Sequence, residues 1–210
     1  MIINLKEAKS FNLHKKLSEF ITDKSMIYLF ENEEEHYNLL AYISNKIDNG
    51  IILDIGTHRG YSSLAFSINE SNKIHTYDIR QMRGGIERNI NPIPENVKWN
   101  IKQILEDDDD LTLLLKSDLI FIDIDHKGKT ETEIYEYLVS KNYKGIVLLD
   151  DIYFNSTMID FWNGIDIKKY DLTAVGHSGS GTVGHSHIKS CGTGLIDFDS
   201  NIKIVENLND

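Results

Sequence analysis

Aspartates stand at the ends of four short apolar runs. Ile51-Ile52-Leu53-Asp54-Ile55 carries one and Lys73-Ile74-His75-Thr76-Tyr77-Asp78 another. Asp118-Leu119-Ile120-Phe121-Ile122-Asp123 and Gly145-Ile146-Val147-Leu148-Leu149-Asp150-Asp151 follow. A carboxylate that closes a buried segment is costly unless it is paired, hydrogen-bonded or used on a ligand. If the four runs are strands of one parallel sheet, they deliver these acids to the rim where such sheets bind ligands. The first run continues as Asp54-Ile55-Gly56-Thr57-His58-Arg59-Gly60-Tyr61-Ser62. Gly56 permits a tight turn, and Gly60 allows a ligand close to the start of the next helix. The loop is neither the G-x-G-x-x-G dinucleotide fingerprint nor the G-K-[ST] phosphate loop. Its D-x-G-x-x-x-G spacing suits a ligand that lacks phosphates and carries positive charge. Asp78 follows at a distance suited to holding two ribose hydroxyls.

The elements that must position these groups alternate between strand and helix. Leu13, Leu17, Phe20 and Ile21 predict a helix over 11–22, and Leu39, Leu40, Ile43 and Ile47 one over 33–47 with Gly50 placed to end it. Another helix runs through Leu64, Ala65 and Ile68; 79–96 reads mostly as loop, and Val97–Ile101 as a further strand. Asp107 to Asp110 lack the glycine and distal glutamate of a calcium loop, so they read as acids at the N-terminus of the helix that ends at Lys116. Thr130-Glu131-Thr132-Glu133 fits a capping box ahead of Ile134, Tyr137 and Leu138. Residues 171–176 and 194–198 look like late strands, with 202–205 continuing their pairing. Near-continuous apolar strands separated by helices imply a parallel sheet covered on both faces.

Composition narrows the class. Of 210 residues, 40% are apolar and only 2 are proline, which excludes collagen and low-complexity disorder. The single Cys191 forms no internal disulfide, and no apolar run is long enough to span a membrane, so a cytoplasmic protein is expected. A formal charge of −11 argues against nucleic acid and anionic membranes as partners, although Arg80, Arg83 and Arg88 cluster in one stretch. A small-molecule partner is expected, and a homo-oligomer stays open. Trp99 and Trp162 read as packing residues, His58 as a loop residue near the ligand, and Cys191 lacks a neighbouring base. His177, His185 and His187 share a Gly/Ser-rich loop expected to flank the cleft.

Four segments in this order resemble the class I S-adenosylmethionine-dependent methyltransferases: 51–62, 76–78, 118–126 and 145–152. The nearer likeness is to the small O-methyltransferase-like group that includes catechol and caffeoyl-CoA O-methyltransferases and the methyltransferase domain 24 proteins. Gly192-Thr193-Gly194-Leu195-Ile196-Asp197-Phe198 resembles the last strand of that fold. The resemblance implies a Rossmann-like, seven-stranded, mostly parallel α/β sheet with its last strand antiparallel and helices on both faces. Residues 1–30 would be a helical extension and 31–210 the methyltransferase-like domain. Asp54, Gly56, Thr57, Gly60, Tyr61 and Ser62 would surround the methionine and ribose of S-adenosylmethionine, Asp78 would take the ribose hydroxyls, and the adenine would lie near Gln103 to Leu105.

In metal-dependent members, acids after the fourth and fifth strands hold a divalent cation. Asp123, Asp150 and Asp151 occupy those places, and oxygen ligands suit Mg2+, Ca2+ or Mn2+. His126 falls where catechol-type enzymes carry a lysine base, and with Asp123 it is the expected catalytic pair. The implied reaction is methylation of a small-molecule hydroxyl. A metal-dependent hydroxylase-like protein of the same fold and a non-catalytic nucleoside-binding module are the competing readings.

Overall fold

The apolar runs pair side by side. The computed structural model describes residues 1–30, 35–80, 85–105, 107–175, 182–183, 186–187 and 191–206. In chain order the elements are β1 (Ile2–Asn4), α1 (Leu5–Ser10), α2 (His14–Leu17), α3 (Tyr37–Ser44), β2 (Ile51–Ile55), α4 (Tyr61–Phe66), β3 (Lys73–Asp78), β4 (Val97–Ile101) and α5 (Asp108–Lys116). Then come β5 (Leu119–Ile122), α6 (Lys129–Ser140), β6 (Ile146–Leu149), α7 (Ser156–Gly164), β7 (Lys169–Asp171), β8 (Thr182–Val183), β9 (Ser186–His187), β10 (Gly194–Asp197) and β11 (Lys203–Val205).

Seven strands form the central sheet in the order β4-β3-β2-β5-β6-β10-β7. The first five are parallel, and β10 runs antiparallel to both β6 and β7. This is the expected mostly parallel sheet with a reversed last strand. The chain moves outward from β2 to β3 and β4, then returns to β5 on the other side of β2. That reversal opens a crevice beyond the carboxyl ends of β2 and β5.

Both sheet faces are covered, which is why the strands are apolar throughout. On one face Ile52, Phe121 and Leu148 pack with Leu40, Leu64 and Phe66 and with Ile3, Leu13 and Phe30 from the N-terminal segment. On the other, Leu53, Ile120 and Val147 pack with Leu114, Ile134, Leu138 and Trp162. Each fully buried aliphatic side chain contributes about 1.5–3 kcal/mol.

Several local expectations change. The helix predicted over 11–22 shortens to α2, and Lys24–Phe30 forms a 3-10 helix. Asn38 ties this segment to α3: its Oδ1 accepts the Leu13 N–H at 3.0 Å and its Nδ2 donates to the Phe30 carbonyl at 3.3 Å. The helix predicted to run to 47 ends at Ser44. Asp107 caps α5 as expected, accepting the Asp109 N–H at 2.8 Å. The predicted capping box does not form: α6 starts at Lys129 behind Gly128 in a left-handed conformation (φ 76°), and Thr130 lies inside the helix. Lys203–Val205 does not extend the late strands but pairs in parallel with β1, so the two ends of the chain meet in a separate ladder.

Candidate functional site

The glycine turn after β2 is built around close backbone approaches. The Gly56 N–H donates to the Tyr77 carbonyl at 2.8 Å, and Gly56 adopts φ 94°. A Cβ there would lie 1.6 Å from the Asp123 carbonyl oxygen, so only glycine fits. Gly60 takes φ 85° as the residue before α4.

Asp78 closes this turn from β3. Its Oδ2 accepts the His58 N–H at 2.9 Å and its Oδ1 accepts the Arg80 N–H at 2.9 Å. The carboxylate is thereby fixed at the mouth of a cavity of about 580 Å3, lined among others by Gly56, Ile79, Gln103, Asp123 and His126. That volume suits a small-molecule ligand. Thr57, with His58, Asp78 and Trp99, lines a smaller neighbouring cavity of about 130 Å3.

Asp54 is placed differently from the expectation that it meets a ligand. It is wholly buried, its Oδ2 accepts the Ser62 hydroxyl at 2.8 Å, and the Ser63 hydroxyl donates to the same oxygen. Burial pushes its carboxyl pKa up, against the pull of those hydroxyls. Asp54 thus fastens the first turn of α4 from beneath. Tyr61 and Ser62 are buried with it.

Asp123, which lines the cavity, follows β5, and Asp150 and Asp151 follow β6. The Asp123 N–H donates to the Ile55 carbonyl at 2.9 Å and the Asp150 N–H to the Ile122 carbonyl at 3.0 Å, so neighbouring strands bring them to one rim. The Asp123 and Asp151 side chains then meet at one imidazole. His126 Nε2 lies 3.2 Å from Asp151 Oδ2 and 3.5 Å from Asp123 Oδ1, with its ring against Phe154. Asp150 turns inward toward His36, Nδ1 to Oδ1 3.4 Å. Enclosure at this rim and the charge of Asp150 push the Asp123 carboxyl up, while His36 works in the other direction.

The three carboxylates were expected to hold a cation together; in the structure Asp123 and Asp151 share His126, and Asp150 faces His36. Among the described residues no three His, Cys, Asp or Glu side chains are disposed to hold a metal ion. Each of the three acids faces an imidazole instead.

His36 escaped the sequence reading, because neither periodicity nor a motif marks it. It precedes α3, is 3% exposed, and packs against Tyr37 and Phe121. The described residues do not include Arg83, His177 or His185, nor the side chain of His187. No helix among the described residues is long and apolar enough to cross a membrane.

Residues 53–152 match the family described as a methyltransferase domain, of the domain 24 type. No curated protein matches the chain. Among solved structures, cofactor-bound Rv0187 from MTB superposes with a TM-score of 0.53 at 15% identity, covering 94% of this chain and 90% of that one. The Podospora anserina methyltransferase PaMTH1, bound to SAH, gives 0.52 at 14% identity over 92% and 86%. A Staphylococcus aureus protein assigned as a caffeoyl-CoA O-methyltransferase gives 0.51 at 16% identity over 92% and 91%. At these identities the likeness is one of fold. Residues 53–152, which carry the sheet from β2 to β6, thus resemble the methyltransferase domain 24 family, and the chain as a whole shares the fold of these methyltransferases.

Proposed function

We propose that this protein transfers the methyl group of S-adenosylmethionine to an oxygen of a small molecule. The observation that carries the reading is a single cleft lined by both Asp78, at the glycine turn, and His126. Each Asp78 oxygen accepts one main-chain N–H and retains a lone pair for a ribose hydroxyl. Gly56 offers bare backbone beside the donor. Ile79, 68% exposed, and the turn holding Gln103 and Ile104 provide walls for the base. Asp125 also lines the cleft, and its carboxylate suits a sulfonium cation.

In the transfer step, a lone pair of the acceptor oxygen attacks the methyl carbon as the carbon–sulfur bond breaks, and the sulfur leaves as a neutral thioether. The hydroxyl proton passes to His126 Nδ1, since Nε2 is turned toward Asp151 and Asp123. Asp151 and Asp123 orient that imidazole and stabilise the imidazolium it becomes. Alignment of donor and acceptor contributes about 7–11 kcal/mol and the base about 3–5 kcal/mol, so donor-binding residues weigh most.

The test is calorimetric titration with S-adenosylmethionine and S-adenosylhomocysteine, then turnover of radiolabelled donor against a panel of hydroxyl compounds. Binding with turnover of an alcohol or phenol is expected. Binding without turnover on any acceptor would favour a nucleoside-holding module, and no binding would remove the donor assignment.

A further inference from the structure

The acids at the start of α5 do more than complement a helix dipole. Asp107, Asp108 and Asp109 face outward, but Asp110 turns in and is only 6% exposed. Its Oδ1 accepts the hydroxyl of the buried Tyr77 at 2.8 Å, and its Oδ2 forms an ion pair with Lys102. Lys102 also lies 3.5 Å from Asp107. Tyr77 is the residue before Asp78, and its carbonyl accepts the Gly56 N–H. One residue of β3 thus holds the glycine turn through its main chain and the start of α5 through its side chain. Directly after Lys102 comes the turn bearing Gln103 and Ile104, which lines the cleft together with Ile79.

We infer that Asp110 is a positioning residue for recognition of the nucleoside base: by gripping Lys102 on one side and Tyr77 on the other, it fixes the turn at 102–105 in register with Asp78. This rests on the donor reading above. A base is read by main-chain groups only if they are held within about 0.5 Å of their working positions. A turn anchored by a charge-assisted pair and a buried hydroxyl meets that requirement without loss of affinity to ordering. Asp110 touches no ligand in this scheme.

The experiment compares Asp110→Asn, Lys102→Met and Lys102→Arg with the unaltered chain, titrating S-adenosylhomocysteine and its inosine-base analogue, S-inosylhomocysteine. The unaltered chain is expected to prefer the adenine ligand by about tenfold or more. In Asp110→Asn and Lys102→Met, affinity for S-adenosylhomocysteine falls about tenfold and the preference shrinks to about twofold, whereas Lys102→Arg keeps it. General destabilisation would weaken both ligands equally, so an equal fall overturns the inference, as does an unchanged preference. Should Asp110→Asn fail to fold, the half-exposed Lys102 carries the test. If the unaltered chain binds neither ligand, the donor reading itself falls; if it binds S-adenosylhomocysteine but the variants retain base preference, only the role of Asp110 falls.

Discussion

Nδ1 of His36 lies 3.4 Å from Oδ1 of Asp150, a buried contact that ties the segment before α3 to the carboxyl end of β6. Burial alone would depress the imidazole. Asp150 opposes this, with Glu35 and Asp123 adding to it, and together they hold His36 at about 9. The folded value lies above the unfolded value of 6.5, so the stabilisation is complete below pH 6.5 and is lost as pH rises through about 9. The melting temperature of His36→Gln should therefore lie furthest below that of the unaltered chain near pH 6, and the gap should narrow as pH passes 9. A gap of constant size across that range would show that the pair does not carry the charge assigned to it.

Asp78 is held by two main-chain N–H groups and is half-buried, so its replacement should leave the fold intact. Two hydrogen bonds from ribose hydroxyls to a carboxylate are worth about 1.5–3 kcal/mol each. Asp78→Ala should weaken S-adenosylhomocysteine by about a hundredfold or more in calorimetry, with an unchanged circular dichroism spectrum. An unaltered dissociation constant would move the donor elsewhere.

His126 sits at φ 52° between Asp151 and Asp123, and its main-chain carbonyl accepts the Asn155 amide at 2.8 Å, so the ring has little freedom. If it takes the acceptor proton, His126→Gln lowers turnover by about 10²–10⁴-fold while donor affinity stays the same. A loss of donor binding in step with turnover would assign the residue to binding instead.

The imidazoles of His36 and His126 lie 3.2–3.5 Å from Asp123, Asp150 and Asp151. If these pairs are the working state of the three acids, turnover survives dialysis against a chelator. Activity abolished by chelation and restored by magnesium would return the three acids to metal binding.

At Gly56, a methyl group would be driven into the Asp123 carbonyl oxygen, and φ 94° is strained for any other residue. Gly56→Ala should cost about 3 kcal/mol or more in urea unfolding. A smaller cost would mean that the turn relaxes, and donor binding would then be retained.

Much of this was legible in the residues. Runs such as Leu119–Ile122 and Ile146–Leu149 are apolar at every position because both sheet faces are covered, and that signal is local. The glycine turn and the acids after the strands are local too, so the alternation of strands and helices and the rim bearing Asp78, Asp123 and Asp150 followed from the sequence. The tertiary structure decided where side chains on that rim point. Asp54 lies inside β2, and the face it takes there put it under the hydroxyls of Ser62 and Ser63 rather than in the cleft. The pairing of His36 with Asp150, of Tyr77 with Asp110 and of β1 with β11 joins groups far apart in the chain. Periodicity and turn signals report each residue's neighbours along the chain, whereas a buried polar group finds its partner across the core, where only the packing of whole elements sets which atoms meet.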